Sequence, residues 1–141
     1  MKIVLDTNVL VAGLLSPFGP CGEIVRMVSS DKVTLCFDAL ILADYGEVLN
    51  RPKFGFDKDK VAALLDHIEH RGHPVASSPL QYSLPDLDDE PFLKAAVAGK
   101  AACLVTGNAS HFPAKWCQGR RVLSPSEFLI FYKKQQKLKN R

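Results

Sequence analysis

Met1-Lys2-Ile3-Val4-Leu5-Asp6-Thr7-Asn8-Val9-Leu10-Val11-Ala12 is the stretch on which the fold turns. Ile3-Val4-Leu5 is a short apolar run of the kind that forms a strand buried on both faces. It ends on Asp6. Val9, Leu10, Ala12 and Gly13 follow with helical spacing, so residues 6–8 stand between a buried strand and a helix. A carboxylate at the carboxyl end of such a strand lies at the rim of a parallel sheet, where α/β proteins place ligand sites. Thr7 and Asn8 are short and polar, suited to capping the helix or to holding Asp6 in one rotamer. The plainer reading makes Asp6 itself an N-cap and nothing more.

Beyond this opening, strands and helices alternate. The spacing predicts a strand over 2–5, a helix over 8–15 broken by Ser16-Pro17-Phe18-Gly19-Pro20, and a helix over 21–29 with Ile24, Val25 and Val28 on one face. A strand over 33–37 leads to Asp38, which caps a helix over 39–50 stopped by Arg51-Pro52. Asp57 caps a helix to Arg71 with Val61, Leu64, Leu65 and Ile68 as its stripe. Residues 74–76 read as a short strand and 77–88 as a Ser/Pro/Asp-rich loop. A helix over 91–98, a strand over 102–106, a loop over 107–121 and a short strand over 121–123 follow. Pro125 opens a last helix that buries Phe128, Leu129 and Phe131. This alternation predicts an α/β fold, a central parallel sheet with helices on both faces.

The 141 residues fit one domain, read as residues 1–131 followed by a basic tail over 132–141. The composition is 47% apolar, enough to fill a core. No apolar run approaches the roughly 18–20 residues that a membrane span needs, so no membrane association is expected. No signal peptide is legible, and Cys21, Cys36, Cys103 and Cys117 show no CxxC spacing. The expectation is a cytoplasmic protein with reduced cysteines. The tail holds five of the 18 basic residues and no acid, leaving the remainder at a net −2. The body is therefore not a basic nucleic-acid platform, whereas the tail is either a cationic patch for phosphate backbone or a solvated terminus.

The chemistry is expected from misplaced acids. Winding the 39–50 helix at 100° per residue puts Asp44 among Leu40, Ile41 and Val48, with Glu47 at the edge of that stripe. A carboxylate facing a core requires a hydrogen-bonding partner, a cation or a metal. The run Asp86-Leu87-Asp88-Asp89-Glu90 precedes a helix whose buried face is Phe92, Leu93, Ala96 and Val97, and Asp89 points along that face. Capping explains one of its four acids; crowding the others calls for a compensating cation. Thr106-Gly107-Asn108 closes another strand at the same rim as Asp6. Gly107 permits a tight turn there, and the Asn108 amide can bond a carboxylate, water or phosphate. Separated acids on one rim, with no cysteine or histidine beside them, fit a hard cation, Mg²⁺ or Mn²⁺. Such an ion serves phosphodiester hydrolysis.

Four segments carry a specific resemblance: Val4–Leu10, Ile41–Phe54 with its Arg51-Pro52-Lys53-Phe54 end, Asp86–Leu93, and Leu104–Asn108. In order and spacing they resemble the PIN-domain family, in particular the branch of toxin components of bacterial toxin–antitoxin systems. The likeness runs from residue 2 to about residue 131. It implies a three-layer α/β/α fold and a metal-dependent endoribonuclease, with RNA as substrate and, as partners, a small antitoxin and a second copy of the chain in a homodimer. Carried over, Asp6 matches the first metal-binding acid, Asp44 stands where the family has Glu, and Asp89 matches the third acid, a role Asp86 or Asp88 could share. Asn108 stands where many members have a fourth acid. Asp44 is one methylene short, which implies contact with the ion through water, and neutral Asn108 implies weak binding of a second ion. An RNA- or protein-binding module with little catalysis is the alternative.

Other residues have plainer readings. His67, His70 and His73 lack companion cysteines for zinc. His111 lies near the site and either contacts phosphate or has no role. Arg51 and Lys53 either touch RNA or end their helix favourably. Trp116 reads as a packing anchor.

Overall fold

A computed structural model describes residues 1–140. Its strands are β1 (Lys2–Leu5), β2 (Thr34–Phe37), β3 (His73–Pro74), β4 (Cys103–Val105) and β5 (Val122–Leu123); its helices are α1 (Thr7–Leu15), α2 (Pro20–Ser29), α3 (Ala39–Leu49), α4 (Lys58–Arg71), α5 (Glu90–Ala98) and α6 (Pro125–Lys139). Every strand pairing is parallel, in the order β3-β2-β1-β4-β5. With helices packed on the sheet, this is the three-layer α/β architecture expected from the alternation. β1 lies at the centre because Ile3, Val4 and Leu5 are completely buried, with β2 on one side and β4 on the other. The chain winds outward from β1 to β2 and β3, then restarts on the other side with β4 and β5. The β1–β4 boundary is thus where the winding reverses, the place where open α/β sheets bind ligands. Asp6 and Thr106 follow the last residues of these two strands.

The core is aliphatic, with Ile24, Leu35, Ile41, Leu49, Ile68, Leu93 and Leu104 almost fully enclosed. Helix boundaries follow local chemistry. Asp38 accepts the Ile41 amide at 2.9 Å, and Asp57 accepts those of Asp59 and Lys60. Ser124 and Glu127 form a reciprocal capping box that starts α6. Gly13 is obligatory for α1–α2 packing, because a Cβ there would lie 2.7 Å from the Cys21 carbonyl oxygen.

Several expectations shift. The third strand is His73–Pro74, pairing with Cys36–Phe37. Leu129 and Phe131 are only half-buried, while Phe128 is enclosed. The region 107–121 contains single 3-10 turns at Ala109–His111 and Ala114–Trp116. Helix α6 continues to Lys139, so Lys133, Lys134 and Lys137 are carried on a helix. All four cysteines are free thiols. Among the described residues no single helix is long and apolar enough to cross a membrane.

Candidate metal centre

Asp6 occupies the N-cap position of α1, yet its side chain makes no capping hydrogen bond. The carboxylate is instead turned across the sheet rim and is 7% exposed. Its Oδ2 accepts the Thr106 hydroxyl at 2.8 Å and the Asn8 amide at 3.4 Å. Thr106 Oγ1 also accepts the Asn108 backbone amide at 3.0 Å, and Asn8 Oδ1 accepts that of Gly107 at 3.2 Å. A threonine hydroxyl can donate and accept at once. These bonds join the residues after β1 to those after β4. Asn8 therefore orients Asp6, as expected, while Thr7 does something else: its hydroxyl donates a short hydrogen bond to Asp44 Oδ2. Gly107 does not adopt the left-handed conformation; its part is the amide offered to Asn8.

Asp44 is not on the core-facing stripe of α3. The enclosed residues are Ile41, Tyr45 and Leu49, whereas Leu40 is 68% exposed and Val48 half-buried. The helix is rotated by one position relative to the apolar pattern because Tyr45 goes inward. Its phenol is completely buried and donates to the Leu5 carbonyl at 2.6 Å, so the one polar atom of an otherwise apolar ring is satisfied. Asp44 consequently lies on the flank, exposed but held by Thr7. Glu47 is also exposed, with an ion pair to Arg51 at 2.8 Å. That pair engages Arg51, one of the two expected RNA contacts, and holds the Glu47 carboxyl below the usual carboxylate range. Lys53 stands 5.1 Å from the centre of the Phe54 ring, in a single turn beyond α3.

The acidic run divides its labour. Asp86 accepts the Asp88 amide at 2.9 Å, capping a single 3-10 turn, Leu87–Asp89. Glu90 accepts the Leu84 amide at 2.8 Å and ties down the preceding loop. Asp88 is exposed and, with Asp44, Leu40, Leu87 and Phe92, lines a groove beside the rim. Asp89 is turned inward and is 9% exposed. The expectation of no histidine beside the acids is corrected here: His111 Nδ1 lies 3.0 Å from Asp89 Oδ2. Donor atoms of Asp86, Asp89 and His111 all fall within 4.8 Å of one another. The 3-10 turn Ala109–His111 brings the imidazole across, a distance that chain spacing conceals. Asn108 itself is exposed, and its side chain makes no hydrogen bond.

The electrostatics follow from burial. Desolvation pushes the Asp6 carboxyl above its ordinary value, against the lowering effect of the Thr106 hydroxyl, and the charge on Asp44 adds to the rise. Burial likewise raises Asp89, and the charge on Asp6 raises it further, while His111 lowers it. Among the described residues no lysine or arginine pairs with Asp6, Asp44 or Asp89. Carboxylate oxygens at low accessibility on Asp6 and Asp89, with no lysine or arginine paired to them, fit a divalent ion. Asp89 Oδ2 is taken by His111, which leaves Oδ1 for coordination, the arrangement by which outer hydrogen bonds orient metal ligands.

One participant, Tyr45, escaped the sequence, and another, His111, is legible there only as a residue near the site. Tyr45 reads as a strip of helix apolarity, yet it adjoins Asp44 in sequence, bonds the residue before Asp6, and has its ring 6.5 Å from that of Phe92, three residues after Asp89. His111 carried a signal in its position three residues past the rim turn, though not its partner. The remaining histidines are accounted for: His67 Nε2 lies 3.0 Å from Asp31 and from the Val28 carbonyl, and His70 pairs with Asp66.

A parallel α/β sheet with carboxylates where its winding reverses places acidic side chains at the position where open α/β sheets bind ligands. Residues 2–110 match the family model of the PIN domain, and the chain belongs to that family. PIN domains are in general nucleases, typically dependent on divalent metals. No curated protein matches the chain.

Proposed function

We propose that this protein is a Mg²⁺- or Mn²⁺-dependent endoribonuclease, the toxin of a toxin–antitoxin pair held in check by a small antitoxin protein in the cytoplasm. The observation that carries the reading is the pair Asp6 and Asp89. Two nearly buried carboxylates from different elements are near enough for the charge on Asp6 to raise Asp89, each is disfavoured as an anion, and neither is paired with a lysine or arginine. Asp6 and Asp89 would hold the ion, and Asp44, held by Thr7, would reach it through water. An ion held by these residues would supply positive charge opposite a phosphodiester and acidify a bound water for its hydrolysis. Thr106 and Asn8 keep Asp6 in one orientation, so its ligand atom needs no rearrangement when substrate arrives. His111 does the same for Asp89.

The test is cleavage of defined RNAs with Mg²⁺ or Mn²⁺ by the unmodified protein and by Asp6→Asn. Ion-dependent cleavage that disappears in Asp6→Asn is expected. Cleavage that survives either omission of the ion or the substitution refutes the assignment. A binding module with little catalysis is the second reading, favoured by the neutral side chain at Asn108 and the exposure of Asp44. It is supported if RNA is retained without being cut.

A further inference from the structure

The edge of the sheet opposite the acids is cationic. The strands are parallel, so the residues preceding β4 and β5 share the rim that lies four strand residues from Asp6 and Thr106, roughly 13 Å away at 3.3 Å per residue. There the segments Lys100–Ala102 and Gly119–Arg121 enclose a cleft of about 610 Å³. Its charged lining is Lys100, Arg120 and Arg121, without an acid. The other described arginines have acceptors: Arg26 the Pro17 carbonyl, Arg51 Glu47, and Arg71 Asp31. Neither Arg120 nor Arg121 makes a side-chain hydrogen bond or ion pair with any described residue. Arg121 is nonetheless held in place, its guanidinium 4.5 Å from the centre of the Phe131 ring of α6. The turn after Phe131 carries Lys133 and Lys134, so the cationic tract continues along the helix.

The backbone fixes the shape of the two segments. Among the described residues only Asp31, Lys100 and Gln118 are non-glycine residues with positive φ. Lys100 (φ 50°) and Gly119 (φ 77°) stand in the two segments that form the cleft, and Gln118 (φ 52°) precedes the second. Lys100 takes the left-handed conformation that closes α5, its amide bonding the Val97 carbonyl at 3.2 Å and that of Ala101 the Ala96 carbonyl at 3.0 Å, which fixes where this segment of the cleft leaves the helix. Gly119, Arg120 and Arg121 also lie beyond the residues that match the PIN domain model.

We propose that this cleft is a docking site for the sugar–phosphate backbone of single-stranded RNA, separate from the acidic rim. Arginine offers planar paired donors to phosphate oxygens and lysine a point charge. Unpaired guanidinium groups lose no protein partner when phosphate arrives. The site explains how a body of net negative charge outside its C-terminal segment can retain a polyanion: attraction is concentrated on the edge away from the carboxylates.

The test is fluorescence anisotropy of a labelled unstructured single-stranded RNA, titrated in EDTA across a range of salt concentrations. It needs neither ion nor cleavage, so it is decided independently of the nuclease reading. Charge reversal at Lys100, Arg120 and Arg121 together is expected to weaken binding about tenfold or more at low salt. It should also flatten the plot of log K against log salt by about 2, since each single-strand phosphate contact contributes about 0.7. Lys100→Gln with Arg120→Gln leaves the Arg121–Phe131 stack intact and should flatten it by about 1.4. Arg120→Lys with Arg121→Lys, which keeps the charge, should retain the slope. Unchanged affinity and slope in the reversal and glutamine variants overturn the proposal. Polyglutamate that displaces the RNA at equal charge concentration, with the same sensitivity to the substitutions, overturns it in favour of an acidic polypeptide.

Discussion

Tyr45→Phe isolates one hydrogen bond on which the candidate site rests. The substitution keeps the ring, its burial and its contact with Phe92, and removes the hydroxyl that donates to the Leu5 carbonyl at 2.6 Å. That site is closed to solvent, so water cannot replace the donor. Leaving a buried acceptor short of a partner costs about 1–3 kcal/mol. For a chain of this size, each kcal/mol moves Tm by roughly 4 °C, so a fall of about 4–12 °C is expected. Leu5 precedes Asp6, and Tyr45 follows Asp44. The bond therefore ties the end of β1 to α3, and loosening it should also weaken Mn²⁺ binding. Differential scanning calorimetry reads the first effect and isothermal titration of Mn²⁺ the second. A Tm within 1 °C of the parent, roughly a quarter of a kcal/mol, would refute the argument that this phenol holds the two elements together. A full loss of stability with unchanged Mn²⁺ affinity would refute its link to the site.

Asp6→Asn should leave the metal-free protein at least as stable at neutral pH, because burial raises the proton affinity of Asp6 in the folded state. The folded chain then holds protons that the unfolded chain releases near the ordinary value of 3.8, and stability declines as pH rises from there through the raised folded value. Thermal melts against pH should show a shallower decline in Asp6→Asn, and a variant strongly destabilised without metal would assign Asp6 a structural role. At a hundredfold excess over Kd, Mn²⁺ should stabilise the parent by about 2.7 kcal/mol, or about 10 °C, and the variant far less. Asn108→Asp should tighten Mn²⁺ binding, since a carboxylate replaces an exposed amide at the rim. The parent is expected to bind one ion well, and calorimetry that finds two tight sites in it, or no tightening in the variant, removes Asn108 from the ion's surroundings.

Much of the fold was legible because its causes are local. A strand with both faces buried must be apolar throughout, which marks Ile3–Leu5 and Cys103–Val105 directly. Caps are equally local: Asp38, Asp57 and Ser124 bond amides two or three residues away. Parallel pairing requires crossovers, and the spacing of elements supplied them. The place of Asp6 followed as well, since a residue ending a buried strand has only the rim to occupy.

What needed the tertiary structure was everything set by contacts across the sheet. The phase of α3 is not legible in the sequence, because Leu40 and Ile41 look alike there. The choice between them was made by Tyr45, which finds the Leu5 carbonyl forty residues away. Thr7 looked like a partner for Asp6 and serves Asp44, because the start of α1 faces α3 while Thr106, a hundred residues from Asp6, takes the hydroxyl position on that carboxylate. His111 meets Asp89 only because the turn after β4 folds back toward α5. The sequence by itself determined which elements form and which acids stand at their ends, since periodicity, capping and turn chemistry act within a few residues. The tertiary structure alone decided which side chain serves which carboxylate, because a short hydroxyl or imidazole bonds whatever the packed backbone brings within about 3 Å.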